Sequence, residues 1–228
     1  MKTLLKNARI LKMEKEEIIF SSLVIQDDRI IYIGDNYTSY EPFDIIHDCH
    51  GNIIMPGFKN AHTHSAMTFL RSKADDESLQ DWLFGTVLPR EELLKPKDIY
   101  ELAKIAFLEY LTSGITACFD QYYLPLQSAK AAEEMGMRIV LLGTYNKDNT
   151  LDNLLKLYHD FNDKDGLVKY CIGVHAEYTL APQEIEKISE AAHILKAPFY
   201  THICETQKEV DDCLKNRGMT PVAFFEKM

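Results

Sequence analysis

Residues 53–64 read Ile53-Ile-Met-Pro-Gly-Phe-Lys-Asn-Ala-His-Thr-His64, an apolar run of strand length that ends in two histidines. Whether this run is a lone strand or the first of a series decides the fold. Downstream, short apolar runs alternate with helix-length amphipathic segments, which is the pattern of βαβ units and a parallel sheet. Five strands are predicted, at residues 53–61, 115–121, 138–144, 169–175 and 198–203. Helices are predicted between them at about residues 97–112, 126–136, 151–162 and 183–195, with Gly114, Gly136 and Gly166 as stop signals at or near their ends. A last helical stretch falls around residues 220–228.

Upstream the pattern is different. Residues 4–11 and 18–33 are dense in Ile, Leu and Val, and residues 22–34 read as a hairpin around the polar turn Asp27-Asp28. Residues 1–52 are therefore expected to form a small β domain, an N-terminal β-sandwich portion, and residues 53–228 an α/β domain. A closed eight-stranded (β/α) barrel takes about 250 residues of its own, so five strands cannot complete one. The expected fold is a partial TIM-like (β/α) barrel, its first five strands, incomplete at the C-terminal side. An open doubly wound sheet is the alternative that the pattern leaves. Five barrel strands alone would present a wide apolar edge, so a fragment of a longer protein, an assembly such as a homo-oligomer, or a poorly soluble product is expected.

The chain carries 35 acidic and 25 basic residues, a formal charge of -10, which repels phosphate backbones and argues against nucleic-acid binding. No run approaches the roughly 18 apolar residues of a spanning helix, so no membrane partner is expected. Lys2, Lys6, Arg9, Lys12 and Lys15 break up the start and leave no apolar segment of the kind an export signal needs. Cys49, Cys118, Cys171, Cys204 and Cys213 form no CxxC pair and are odd in number. That usage suits reduced thiols in the cytoplasm rather than a disulfide framework.

Chemistry gathers at the predicted strand ends. Positions i and i+2 of a strand point to one face, so His62 and His64 can converge on one ion, each at about 2.0 to 2.1 Å. An HxH pair alone carries little, because eight histidines in 228 residues give about 0.3 such pairs by chance. Its place carries more, since barrel active sites lie at the C-terminal ends of the strands. His202, at the end of the fifth strand, brings the set to three imidazoles with room for water, as catalytic zinc sites require. Glu205, just past that histidine, can take a proton from the water and hand it to a leaving nitrogen. A solvated glutamate at a helix N-terminus is the plain alternative. His175 closes the fourth strand in the same way, whereas His47, His50, His159 and His193 are expected in a loop or on helices, with no role. Trp82, Phe84 and Tyr122 suggest an aromatic pocket, with ordinary packing the competing reading for each.

Three stretches together resemble one family. Met55-Pro-Gly-Phe-Lys-Asn-Ala-His-Thr-His-Ser-Ala-Met-Thr-Phe-Leu-Arg71 is similar to the first barrel strand of the amidohydrolase superfamily, in the branch of methylthioadenosine/S-adenosylhomocysteine deaminases and triazine chlorohydrolases. Leu79-Gln-Asp-Trp-Leu-Phe-Gly-Thr-Val-Leu-Pro-Arg-Glu91 resembles that branch's next loop, and His202-Ile-Cys-Glu-Thr206 its fifth-strand motif. The resemblance implies a barrel hydrolase in which His62, His64 and His202 bind one divalent ion, zinc, with iron the other candidate. It implies Glu205 as the proton shuttle, and Glu91 and His175 as substrate contacts, with His175 also catalytic in holding the developing charge; Trp82 joins the substrate contacts from the aromatic pocket. It also implies a sixth-strand histidine, an eighth-strand aspartate and a second half of the small β domain, none of them supplied by these 228 residues. Deaminases of adenosine thioethers carry an arginine near the end of the third barrel strand, where this chain reads Leu141-Leu-Gly-Thr-Tyr-Asn146. Without that arginine to pair a carboxylate, S-adenosylhomocysteine is not expected to be the preferred substrate.

The expected function is that of a metal-dependent hydrolase acting on carbon-nitrogen bonds other than peptide bonds, deaminating a purine, pteridine or related N-heterocycle. A single-ion site needs no bridging lysine on the fourth strand, and Val174-His175-Ala176 offers none. The alternatives are a chlorohydrolase of the same superfamily and a noncatalytic fragment lacking the eighth-strand aspartate.

Overall fold

Pro56 divides the first predicted barrel strand in two. In the computed structural model, which describes residues 1–146 and 149–228, Ile53–Ile54 (β5) and Phe58–Thr63 (β6) are separate strands on either side of it. Proline lacks the N–H that a ladder needs, so pairing breaks there. The two strands belong to different units: Met1–Gly57 and Phe58–Met228 each form a compact body.

The first unit is a five-stranded sheet. Lys2–Leu11 (β1) pairs antiparallel with Ile18–Gln26 (β2), which pairs antiparallel with Arg29–Gly34 (β3) across the turn at Asp27-Asp28. Ile45–Asp48 (β4) and β5 both run parallel to β1, β4 beside residues 3–6 and β5 beside residues 9–10. His47 therefore lies in a strand rather than in the expected loop. The core of this unit is small, built on Ala8, Ile10, Leu23 and Cys49.

The second unit is a curled parallel sheet in the order β10-β9-β8-β7-β6, half of a barrel. Ile115–Asp120 (β7), Arg138–Thr144 (β8), Val168–Gly173 (β9) and Phe199–Tyr200 (β10) follow β6, and every neighbouring pair is parallel. The curl is visible in one contact, because the Tyr200 hydroxyl of the last strand donates to the Ala61 carbonyl of the first, at 2.6 Å. Helices Pro96–Thr112 (α1), Pro125–Met135 (α2), Leu151–Asn162 (α3) and Pro182–Leu195 (α4) connect the strands, each within a residue or so of its expected span. On α1, Ile99, Ala103, Ala106 and Phe107 form the buried stripe, the spacing that amphipathic packing demands. Gly136 ends α2 at φ 71°, a left-handed conformation that costs glycine little. Phe107, Ile139, Leu141, Ile172, Ile185 and Ile188 are central to the core between sheet and helices.

Two departures lie near the chain's C-terminal side. Gln207–Arg217 (α5) precedes Pro221–Glu226 (α6), and sequence periodicity does not foresee it because it buries little apart from Glu209 and Cys213. The fifth barrel strand, expected over residues 198–203, is paired in the ladder only at residues 199–200. Among the described residues no helix is long and apolar enough to cross a membrane.

Candidate metal centre

The C-terminal ends of β6 and β10 bring three imidazoles together. The ring nitrogens of His62, His64 and His202 that face one another all lie within 4.8 Å. Ring centroids are 5.5 Å apart for His62 and His64, 5.0 Å for His62 and His202, and 5.3 Å for His64 and His202. Strand alternation accounts for the first pair, since Thr63 between them turns the other way, is buried and bonds the Tyr110 hydroxyl. His202 is placed from a distance. Its backbone N–H donates to the His175 carbonyl at 2.8 Å, and the Thr201 hydroxyl donates to the same carbonyl.

Hydrogen bonds with Gln121 occupy one ring nitrogen each of His64 and His175. His64 Nδ1 lies 2.7 Å from the Gln121 carbonyl oxygen. A carbonyl can only accept, so Nδ1 carries a proton and Nε2 is the nitrogen left to face an ion, the arrangement that orients a metal-binding imidazole. The side chain of the same Gln121 places its amide nitrogen 3.2 Å from His175 Nδ1. Here the amide is the donor, so His175 holds its proton on Nε2. Burial, reinforced by the nearby imidazoles of His175, His64 and His62, pushes His202 down to about 3. Burial and then His64 lower His175 as well. Both rings are thus neutral at pH 7, and His202 is available as a ligand.

Two buried carboxylates hold the chain just beyond these histidines. Asp120 Oδ1 accepts the Ser65 N–H at 2.6 Å, directly after His64, and burial raises the Asp120 carboxyl. Glu209 accepts from both the Cys204 and Glu205 N–H groups. Neither acid is singled out by sequence reasoning, and neither is Gln121. Each had a usable signal: Asp120-Gln121 is a polar pair closing an apolar strand, and Thr206-x-x-Glu209 has capping-box spacing directly after the histidine motif.

The histidine cluster opens on a cavity of about 680 Å³. His64, His202, His175, Glu205, Glu91 and Trp82 all line it, so the expected metal-binding, proton-transfer and substrate-contacting positions meet in one place, with His62 against the cluster. Glu91 follows a π-helical turn, Trp82–Val87, and its carbonyl accepts the Tyr123 hydroxyl. Burial raises the Glu91 carboxyl, opposed by the neighbouring Tyr122 hydroxyl and by His64. Tyr122 lines the cavity as expected, whereas Phe84 does not and is 64% exposed. Two positions apart on a helical turn, Trp82 and Phe84 face opposite sides. At the end of β8 the lining residues are Thr144, Asn146, Asn149 and Asn153, of which Asn153 donates to Asn149 and Asn149 to the Thr144 carbonyl.

Comparison with known proteins agrees with this geometry. The sequence profile described as the amidohydrolase family matches residues 53–227. The chain is 38% identical to a 5'-deoxyadenosine deaminase of Methanospirillum hungatei JF-1, over 81% of its own length and 43% of that protein's. It is 34% identical to a 5-methylthioadenosine/S-adenosylhomocysteine deaminase of Thermoanaerobacter pseudethanolicus, over 99% of its length and 54% of the relative's. The chain thus spans about half the length of the curated relatives it matches. Among solved structures, an adenosine deaminase from Xanthomonas campestris with bound zinc superposes with a TM-score of 0.84 at 23% identity, covering 99% of this chain and 54% of that one. At that identity the likeness concerns the fold.

Proposed function

The chain belongs to the amidohydrolase family, and from that premise we propose that it is a metal-dependent hydrolase of carbon-nitrogen bonds other than peptide bonds, one that deaminates a purine, pteridine or related N-heterocycle. The observation that carries the reading is the meeting of three imidazole donors within 4.8 Å at a cavity that Glu91, His175 and Glu205 also line. Relatives named as deaminases of adenosine derivatives support an amine-bearing ring as the substrate.

The donor set fits zinc, with iron the other candidate. His62, His64 and His202 would hold the ion through neutral nitrogens, one of them already oriented by the Gln121 carbonyl. When bound, the ion supplies Lewis acidity that makes water a nucleophile near pH 7. Glu205 takes a proton from the attacking water and delivers it to the exocyclic nitrogen, which leaves as ammonia. His175, with Nδ1 occupied by Gln121, offers its Nε2 proton to the charge that develops on the ring. Glu91 accepts a hydrogen bond from the substrate, and Trp82 packs against the ring. Thr144, Asn149 and Asn153 present neutral groups to the rest of the ligand, which disfavours the charged amino-acid tail of S-adenosylhomocysteine. The same reading places the enzyme in the cytoplasm, where its five free cysteines stay reduced, and expects a homo-oligomer with no nucleic-acid or membrane partner.

Metal analysis of the purified chain should find about one equivalent of zinc. In a substrate screen, Glu205→Gln should lower kcat for ammonia release by roughly 10²- to 10⁴-fold with zinc content unchanged. An unchanged rate in that variant would remove Glu205 from the mechanism. Preferential release of chloride from a triazine would make the protein a chlorohydrolase, and neither zinc nor turnover would leave it noncatalytic.

A further inference from the structure

Glu209 stands outside the cavity, yet it is attached to the residue on which proton transfer depends. Its carboxylate is buried, with 5% of the residue exposed. Oε1 accepts the Cys204 N–H at 2.8 Å and Oε2 accepts the Glu205 N–H at 2.7 Å. In an ordinary capping box, the acid at the third helical position returns to the N–H of the capping residue itself. The cap of α5 is Thr206, whose hydroxyl accepts the Glu209 N–H, but the Glu209 side chain reaches past Thr206 to the two preceding residues. Cys204 sits at φ 53°, a left-handed conformation that a non-glycine residue adopts only when its surroundings enforce it. Successive N–H groups around such a residue form a concavity for an anion, and Glu209 fills it from within the chain.

We propose that Glu209 is a positioning residue that sets the backbone of Glu205 and so the direction of its carboxylate toward the cavity. The inference rests on the deaminase reading for its kinetic consequence, but not for its structural one. His202 is placed independently, by the His175 carbonyl, so the two functions of this segment are separable. In Glu209→Gln the side chain keeps its size but can accept only one of the two N–H groups, and it presents an NH₂ to the other. We expect kcat to fall at least ten-fold while KM changes by less than about two-fold and zinc content stays that of the wild type. Thr220→Ala, which removes the cap of α6, serves as a control for lost helix capping and should leave kcat unchanged. A Glu209→Gln variant with wild-type kcat, or with zinc lost in proportion to activity, overturns the proposal.

Backbone amide exchange provides the arm that does not need turnover. The Cys204 and Glu205 amides should be protected in the wild-type chain and exchange at least ten-fold faster in Glu209→Gln, with the amides of β8 and β9 unchanged. If the wild-type chain releases no ammonia, the deaminase reading falls while this arm still decides: equal protection in the two proteins overturns the positioning role. Should Glu209→Gln fail to fold, Glu209→Asp keeps the charge but shortens the reach, and the same exchange comparison applies.

Discussion

The two strand ends that supply imidazoles are built on different physics. At the end of β6, His62 and His64 lie on one face because a strand alternates, and a six-residue strand carries them there. At the end of β10 only two residues are paired in the ladder, and His202 depends on what surrounds it. The exposures differ accordingly: His62 is exposed, whereas His202 is 8% exposed and pushed down to about 3. One end of the site is local geometry, and the other is tertiary structure. If so, the two ends should fail in different ways.

Removing a ring from either end should have the largest effect. His64→Ala and His202→Ala should each weaken zinc binding by more than the roughly 10- to 100-fold that loss of an outer hydrogen-bonding partner costs. Calorimetric zinc titration measures this. A loss below ten-fold for either variant would mean that the three imidazoles do not share an ion, and the comparison between the ends would lose its object.

A substitution remote from the rings should separate the two ends. A Cβ added to Gly173 in β9 would stand 2.0 Å from the Tyr200 carbonyl oxygen, closer than any real contact, so β10 must move away. The same carbonyl accepts the Val174 N–H, which ties the strands just before His202. Gly173→Ala should therefore cost about 1 to 3 kcal/mol of stability, as overpacking does, and weaken zinc binding about ten-fold through His202 alone. Histidine NMR resonances should move for His202 and His175 but not for His62 or His64. Equal movement at all four would show that the β6 end is no more self-sufficient than the other.

The same division explains what the sequence disclosed. The helices α1 to α4 and the strands β7 to β9 announce themselves through periodicity and glycine stops, and His62, His64, His175 and His202 through their places at strand ends. Pro56 was present in the sequence, but the pairing of β5 with β1 is a contact between distant segments that no local pattern encodes. The helix α5 lacks an apolar stripe, and its buried acid, Glu209, reads as an ordinary polar residue until the loop it holds is known. Gln121 is the clearest case. Its backbone and side chain fix the proton positions of two site histidines in opposite senses, a role set wholly by where β6 and β9 bring their ends.

The smallest expected effect concerns pH, and it tests whether His202 is the tertiary member. In the metal-free folded protein its imidazole is lowered to about 3 by burial and by its neighbours, against an ordinary 6.5. Between those values the unfolded chain binds a proton that the folded chain refuses, so the unfolded state binds more protons and stability rises with pH. The contribution is fully present above about pH 6.5 and is lost as pH falls toward 3. From pH 6.5 to 5.5 one such group removes about 1 kcal/mol. His175, lowered for the same reason, acts in the same direction. Denaturant unfolding of the metal-free protein at several pH values should show this slope, and His202→Asn should reduce it by the share of one proton. If the slope is the same in His202→Asn, the burial of that ring is not what opposes its charge, and the tertiary end of the site carries no more constraint than the local one.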